Sequence, residues 1–152
     1  MLAFIWAGTE ANYPMVQYLA KGEVYWATPK LGSAISVGDR AYIWRHQKGS
    51  PIPGGLIAVG HVAEATKHKA EVDKPDLLGE DLWRVPPSPK MDWKTRIVLT
   101  DLRPDVPTGM LTRDKLKALI PQLSVLRAPQ GTVFRVLPEH HEVIEREWLA
   151  SR

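Results

Sequence analysis

The sequence of 152 residues contains no cysteine. This absence excludes disulfide bonds, thiolate zinc sites, iron–sulfur clusters and cysteine nucleophiles, and it favours a reducing, cytoplasmic location. No run of residues approaches the roughly 20 apolar residues that a membrane-spanning helix requires, so we expect no membrane partner. Phenylalanine is also scarce, with two residues against six tryptophans. The tryptophans therefore need a specific explanation.

The excess of one charge over the other is small. Twenty Lys and Arg residues against 17 Asp and Glu residues give a net charge of +3. Purely electrostatic nucleic-acid binders are far more basic, so any nucleic-acid binding by this chain has to depend on a local basic surface and specific contacts. The length and the hydrophobic fraction of 44% suit one globular domain, and we treat residues 1–152 as a single domain.

Short apolar and β-branched segments alternate with turns along most of the chain. Six segments have the composition of strands: residues 2–7, 24–28, 41–45, 56–62, 94–103 and 132–136. Capping residues and apolar periodicity predict three helices, at residues 14–20, 113–120 and 138–149. Because no βαβ unit repeats, these elements predict an α+β domain built on a curved sheet or small barrel. Residues 66–92 have no regular periodicity and form a loop long enough to indicate a function.

The residues show no recognisable catalytic or metal-binding pattern. None of the serines lies in a Gly-x-Ser-x-Gly elbow, and the glycines around residues 49–60 lack the ending of a phosphate-binding loop. His141 and Glu145 have helical i, i+4 spacing, but no third ligand is evident, so we interpret them as a solvated helix face. Glu80 and Asp81 are adjacent in the long loop and need not face each other. We therefore predict a non-enzymatic domain without a metal or cofactor.

Ordered motifs carry a family resemblance over nearly the whole chain. They are Phe4-Ile5-Trp6, Asn12, Trp26-Ala27-Thr28, Gly38-Asp39-Arg40 with the strand that follows, and the segments at residues 54–60, 93–102 and 111–119 with the terminal helix. In this order the sequence resembles the EVE domain, a member of the PUA-like superfamily that is related to the YTH domain. The resemblance implies a twisted β-barrel of about six strands with peripheral helices.

The resemblance also implies a function and a site. In the related YTH readers, a flipped methylated base lies in an aromatic cage. Trp26 is similar to the tryptophan that forms one wall of that cage, Thr28 is close to the pocket, and Asn12 has the position of a polar residue that contacts the base edge. The second wall comes from the long loop, where Trp83 and Trp93 are alternatives and we favour Trp83. The implied ligand is a methylated or hydroxymethylated base, either N6-methyladenine or a modified cytosine.

The predicted partner is DNA or RNA that contains the modified base. Arg45, Lys48, Lys67 and Lys69 are the predicted phosphate contacts near the mouth of the pocket, with an ordinary solvated surface as the alternative for each. A domain of this kind acts alone or as the reader part of a modification-dependent restriction system, with a nuclease domain or subunit elsewhere.

Two other functions stay open from the sequence. One is a small hydrolase acting on modified nucleosides through the same pocket, which the PUA-like resemblance implies because that superfamily also includes ASCH domains. The other is a module that binds a small apolar ligand or a protein, in which the tryptophans are contact anchors.

Overall fold

The computed structural model describes residues 1–47, 51–128 and 131–151. In these residues the strands are β1 (Ala3–Thr9), β2 (Glu23–Ala27), β3 (Arg40–His46), β4 (Gly55–His68), β5 (Trp93–Leu102), β6 (Leu111–Thr112) and β7 (Val133–Val136). The α-helices are α1 (Met15–Leu19), α2 (Arg113–Leu119) and α3 (Pro138–Ala150). Short 3-10 turns fill the long loop between β4 and β5, at Lys69–Glu71, Pro75–Leu77, Glu80–Leu82 and Pro89–Asp92.

The strands form one mixed sheet. Its order is β2-β5-β4-β3-β1-β7, and the two-residue β6 pairs with β4 beside this path. β1 and β3 are parallel, whereas the other pairings of the described strands are antiparallel. The α+β prediction is confirmed. The strand count is seven in the described part of the chain, one more than expected, because β6 is too short to leave a pattern in the sequence.

β4, with 14 residues, is the longest of the described strands, and irregular pairing with β5 bends the sheet along it. The structure continues β4 to His68, six residues beyond the predicted end, because this extension pairs with β5. Register shifts interrupt the pairing at Val59/Gly60, Val62/Glu64 and Glu64/Lys67. Such bulges break the alternation of side chains and increase the local twist. The sheet is therefore strongly curved but open, with β2 and β7 at its edges in the described residues.

Side-chain alternation along the strands builds a core on each face of the sheet. On β1, Trp6 enters the cluster that α1 covers, whereas Ile5 enters the cluster that α2 and α3 cover. Trp6, Trp44 and Trp148 are at most 4% exposed, and each belongs to one of these two clusters.

The outer face of α3 is less solvated than the sequence indicates. His141 Nδ1 lies 2.7 Å from the Tyr42 hydroxyl, and Glu145 forms an ion pair of 3.0 Å with Arg40. Both contacts join α3 to β3 rather than to a metal. Within the described residues, no group of three or more His, Asp or Glu side chains is arranged to hold a metal ion, and no helix has the length and apolarity to cross a membrane.

The bulge at Gly60 gives a direct test of this sheet. A Cβ atom on Gly60 would lie 2.1 Å from the Val98 carbonyl oxygen, which is backbone and cannot move aside without breaking the β4–β5 pairing. We expect Gly60→Ala to lower the free energy of unfolding by about 1–3 kcal/mol, as overpacking does. Urea unfolding followed by tryptophan fluorescence measures this loss. The neighbouring exposed position provides the control, since His61→Ala should leave the stability nearly unchanged; equal effects of the two variants would contradict the assignment.

Candidate functional site

A cavity of about 280 Å³ lies between the end of β1, the start of α1, the end of β2 and the long loop. This volume is near the lower end for small-molecule sites and suits one small ring system. Its described lining comprises Ala7, Gly8, Thr9, Asn12, Tyr13, Met15, Tyr18, Tyr25, Trp26, Ala27, His46, Leu78, Trp83, Met91, Lys94, Gly131 and Thr132.

Four aromatic rings form one side of the cavity. Tyr13 lies between the two tryptophans, with its ring centroid 4.9 Å from that of Trp83 and 6.4 Å from that of Trp26, edge-on in both cases. Tyr18 stacks on Trp26 at 6.3 Å with an interplanar angle of 26°. These separations are those of favourable aromatic contacts. Tyr13 therefore contacts both tryptophans, and Tyr18 supports Trp26.

Trp26 is held by β1. Its indole Nε1 donates a hydrogen bond of 3.3 Å to the Ala7 carbonyl, and the side chain is 7% exposed. The ring packs closely on Gly8, where an added Cβ would lie 3.0 Å from Trp26 Cζ2. The small residue that ends the apolar part of β1 thus leaves room for the indole.

Trp83 is positioned by the loop that carries it. Its Nε1 donates a 2.9 Å hydrogen bond to Glu80 Oε2, and the next amide, that of Arg84, donates to the Asn12 carbonyl at 2.9 Å. The Tyr13 hydroxyl donates to the Gly79 carbonyl at 2.6 Å. Gly79 has a positive φ of 61°, and the Tyr13 hydroxyl would lie 2.6 Å from a Cβ at this position, so a glycine is required. These contacts fasten the loop to the start of α1.

Lys94 brings a positive charge into the cavity. It lies near the start of β5, opposite Ala27 of β2, and its side chain is 4% exposed. The ammonium lies 3.5 Å from Glu80 Oε2 and 5.8 Å from the centroid of the Trp83 ring. Burial lowers the pKa of Lys94, and the nearby Glu80 carboxylate opposes this shift only in part.

The structure brings three of the predicted base-binding residues together and leaves two outside. Asn12, Trp26 and Trp83 line the cavity. Thr28 lies behind it: its buried hydroxyl accepts a 3.0 Å hydrogen bond from Trp6 Nε1 and lies 2.6 Å from the Thr95 hydroxyl. Trp93 is 48% exposed and packs edge-on against His68 at 5.6 Å, away from the cavity lining. Of the two loop alternatives, Trp83 is therefore the one beside Tyr13.

The predicted phosphate contacts are mostly engaged within the protein. Arg45 is 2% exposed, and its guanidinium donates to the Pro53 carbonyl at 3.3 Å, so it does not face solvent. Lys67 forms ion pairs with Glu64 and Asp73, and Lys69 forms ion pairs with Glu80 and Asp92. Lys48 lies outside the described residues. Hydrogen bonding to Asp92 and Glu80 raises the pKa of Lys69, so this surface amine stays charged.

Sequence reasoning missed Tyr13 and Lys94 as site residues, and it treated Tyr18 as core. Tyr18 does have the helical spacing of a core residue, and it is buried. Lys94 begins a strand, where a charged residue normally indicates solvent. The long loop alone turns this position inward, and no periodic signal in residues 66–92 predicts where that loop packs.

Three solved structures with the same overall fold cover nearly the whole chain. Human THYN1, in complex with DNA containing 5-methylcytosine, has a TM-score of 0.66 at 9% identity and covers 97% of this chain and 98% of its own. A hypothetical protein from Leishmania major has a TM-score of 0.66 at 11% identity, with 99% and 96% covered. An ASCH protein from Zymomonas mobilis has a TM-score of 0.55 at 11% identity, with 95% and 94% covered. No family model and no curated protein matches the chain.

The domain shares its overall fold with these three proteins. At these identities the likeness concerns the fold alone, and it confirms the predicted α+β architecture. In all three comparisons the shared fold extends over at least 94% of the other chain. The domain that holds this cavity is therefore of ordinary size for that fold.

The buried amine of Lys94 should cost this domain stability. Because the folded-state pKa of Lys94 is lowered, the unfolded chain binds this proton more tightly. The cost is full below the folded-state pKa and disappears as the pH rises towards the ordinary value of 10.5. We expect Lys94→Met to be at least as stable as the wild type at neutral pH, and the wild type to gain stability relative to this variant as the solution becomes alkaline.

Urea unfolding of both proteins over a series of pH values measures this difference. Taking the difference between the two proteins removes the contribution of tyrosine ionisation, which both share. If the difference in unfolding free energy between the two proteins does not change with pH, burial of Lys94 carries no such cost. The same conclusion follows if the wild type loses stability relative to Lys94→Met as the pH rises.

Proposed function

We propose that this chain is a non-enzymatic reader of the EVE type that binds one modified nucleobase of DNA or RNA in the cavity. The observation that carries the proposal is the aromatic lining of a cavity sized for a single ring system, with Trp26, Tyr13 and Trp83 beside one another. The base would leave its stack and enter the cavity from the open side, near Asn12.

The energetics of base binding fit this lining. Flipping a base out of a duplex costs a few kcal/mol, and stacking on an aromatic side chain returns about 1–3 kcal/mol. A methyl group that enters an apolar environment adds roughly 0.8 kcal/mol. Methyl burial alone therefore gives modest selectivity, and polar contacts to the base edge have to add to it. Asn12 and Lys94 are side chains of the cavity lining that can supply them.

The comparison with human THYN1 supports a nucleic-acid partner. That protein was solved with DNA containing 5-methylcytosine, and its fold matches this chain at a TM-score of 0.66. The low net charge of +3 and the internal pairing of Lys67 and Lys69 leave little general attraction for phosphates. We therefore expect the cavity, rather than the outer surface, to provide most of the affinity, with a weak dependence on salt.

The proposal includes two further expectations. The domain would act in the cytoplasm, in keeping with a chain that has no cysteine. A nuclease domain or subunit would accompany it where the function is modification-dependent restriction, since binding a base does not by itself cut a strand.

Trp83 of the long loop and Trp93 at the start of β5 provide a matched pair of variants. Trp83→Ala removes a ring from the cavity, whereas Trp93→Ala removes an exposed ring outside it. We expect Trp83→Ala to weaken binding of a modified oligonucleotide by at least roughly fivefold, which corresponds to the low end of one lost stacking contact. Trp93→Ala should bind as the wild type does. Fluorescence anisotropy with labelled oligonucleotides of one sequence, modified or unmodified at one base, measures both.

Two results would contradict the proposal. One is equal affinity of the wild type for modified and unmodified oligonucleotides across 5-methylcytosine, 5-hydroxymethylcytosine and N6-methyladenine. The other is an equal loss of affinity in the two tryptophan variants. Unfolding curves of both variants show whether a loss reflects the cavity or general instability.

A hydrolase acting on modified nucleosides is a second candidate function. One observation favours it, although the sequence indicated no paired acid and base. The ammonium of Lys94, in the cavity lining, lies 3.5 Å from the carboxylate of Glu80, in the long loop. A carboxylate and an amine with a lowered pKa are a plausible general acid and base. We expect no turnover when the protein is incubated with a panel of modified nucleosides and the mixture is analysed by mass spectrometry. Turnover that Glu80→Gln abolishes would establish the enzyme instead.

A further inference from the structure

The Lys94 ammonium is unusual among the groups that line the cavity. Its side chain is 4% exposed and it belongs to the lining. Among the described residues that line the cavity, Lys94 is the only lysine or arginine. The lining also includes His46, whose ring lies 3.4 Å from the Gly131 carbonyl oxygen. A buried ammonium is expensive unless its donors are used. The structure thus places a strong donor where only a molecule inside the cavity can reach it.

The contacts of Lys94 leave part of its donor capacity unused. An ammonium carries three N–H donors. In the described chain its direct contacts are the Glu80 carboxylate at 3.5 Å and the face of the Trp83 ring at 5.8 Å, and the charges of Asp92 and Lys69 also act on it. The first distance is well beyond the roughly 2.7–2.9 Å of a tight charge-assisted hydrogen bond. The amine is therefore held in place without being saturated.

The surroundings of Lys94 favour a neutral acceptor over an anion. Glu80 balances the charge of Lys94, and Glu80 is itself close to Lys69 and to the indole N–H of Trp83. A phosphate in the cavity would lie near the Glu80 carboxylate and would lose its hydration. A carbonyl oxygen on the edge of a flat ring has only a partial negative charge, so both costs are much smaller for it. A ring stacked near Trp83 would direct such an edge group towards Lys94.

We propose that Lys94 is a specificity-determining residue that donates a hydrogen bond to a carbonyl oxygen on the edge of the bound base. This inference rests on the proposed function and deepens it, because it names the class of base. Modified cytosines carry an exocyclic carbonyl oxygen, which accepts more strongly from an ammonium than the ring nitrogens that N6-methyladenine offers. We therefore expect Lys94 to favour 5-methylcytosine or 5-hydroxymethylcytosine over N6-methyladenine.

The test compares affinities of one protein for two ligands. Oligonucleotides of matched length and flanking sequence carry either 5-methylcytosine or N6-methyladenine at the central position, and binding is measured by anisotropy for the wild type and for Lys94→Met. Methionine keeps the length of the side chain and removes the charge and the donors. We expect the wild type to prefer 5-methylcytosine by roughly tenfold or more, the usual effect of a hydrogen bond to a charged group. Lys94→Met should reduce this preference to within about twofold of none.

Lys69→Met is the matched control. It removes an amine that contacts the same carboxylate, Glu80, but from a side chain that is 39% exposed and outside the described lining. If Lys69 contacts phosphate, this variant weakens both ligands together. The ratio of the two affinities should stay at the wild-type value, which separates the loss of a donor in the cavity from the loss of a nearby charge.

The outcomes separate the two proposals. A wild type that binds modified and unmodified oligonucleotides equally overturns the proposed function and this inference with it. A wild type that binds modified bases but prefers N6-methyladenine, or a preference for 5-methylcytosine that survives in Lys94→Met, overturns the inference and leaves the reader intact. A preference lost equally in Lys69→Met and Lys94→Met also overturns it, because general charge would then be the cause.

Discussion

Ion pairs and hydrogen bonds between the long loop and the sheet hold the cavity together. Glu64 is 4% exposed, and it accepts hydrogen bonds from the Tyr25 hydroxyl, from the Asp73 amide at 3.0 Å and from Arg96 Nε at 3.0 Å. Burial would raise the pKa of Glu64, but these hydrogen bonds outweigh it and keep the pKa below its ordinary value. An ionised, fully partnered carboxylate thus fixes the start of the loop on β4 and β5.

Glu80 has a similar role in the middle of the loop, next to the site. It contacts Trp83, Lys69 and Lys94, so one carboxylate positions an aromatic wall and the buried amine together. The site therefore forms only when the loop packs against the sheet. The amine costs stability to bury, and its contacts leave donors unused, so stability alone does not explain its position.

The reader and the hydrolase depend on the same pair of residues in different ways. In a reader, Glu80 orients Trp83 and Lys94, and the base meets an aromatic face and a donor. In a hydrolase, the same carboxylate and amine would move protons. The cavity itself suits both, because each function needs one ring held against Trp83 and Tyr13 with its edge near Lys94. The proton-transfer chemistry is the only difference, and turnover measures it directly.

The sequence by itself determined most of the secondary-structure elements. Alternation and β-branched composition located six of the seven described strands, and capping residues with apolar periodicity located the three α-helices, because these patterns repeat locally along the chain. The motif resemblance also identified Trp26 and Asn12, which both line the cavity. Tertiary structure alone decided that Trp83 rather than Trp93 lines the cavity, and that Lys94 faces inward. Both depend on where residues 69–92 pack. This irregular segment is positioned by side-chain contacts with residues distant in sequence: Glu64 of β4, Lys94 of β5 and Tyr13 before α1. Such contacts leave no period in the sequence.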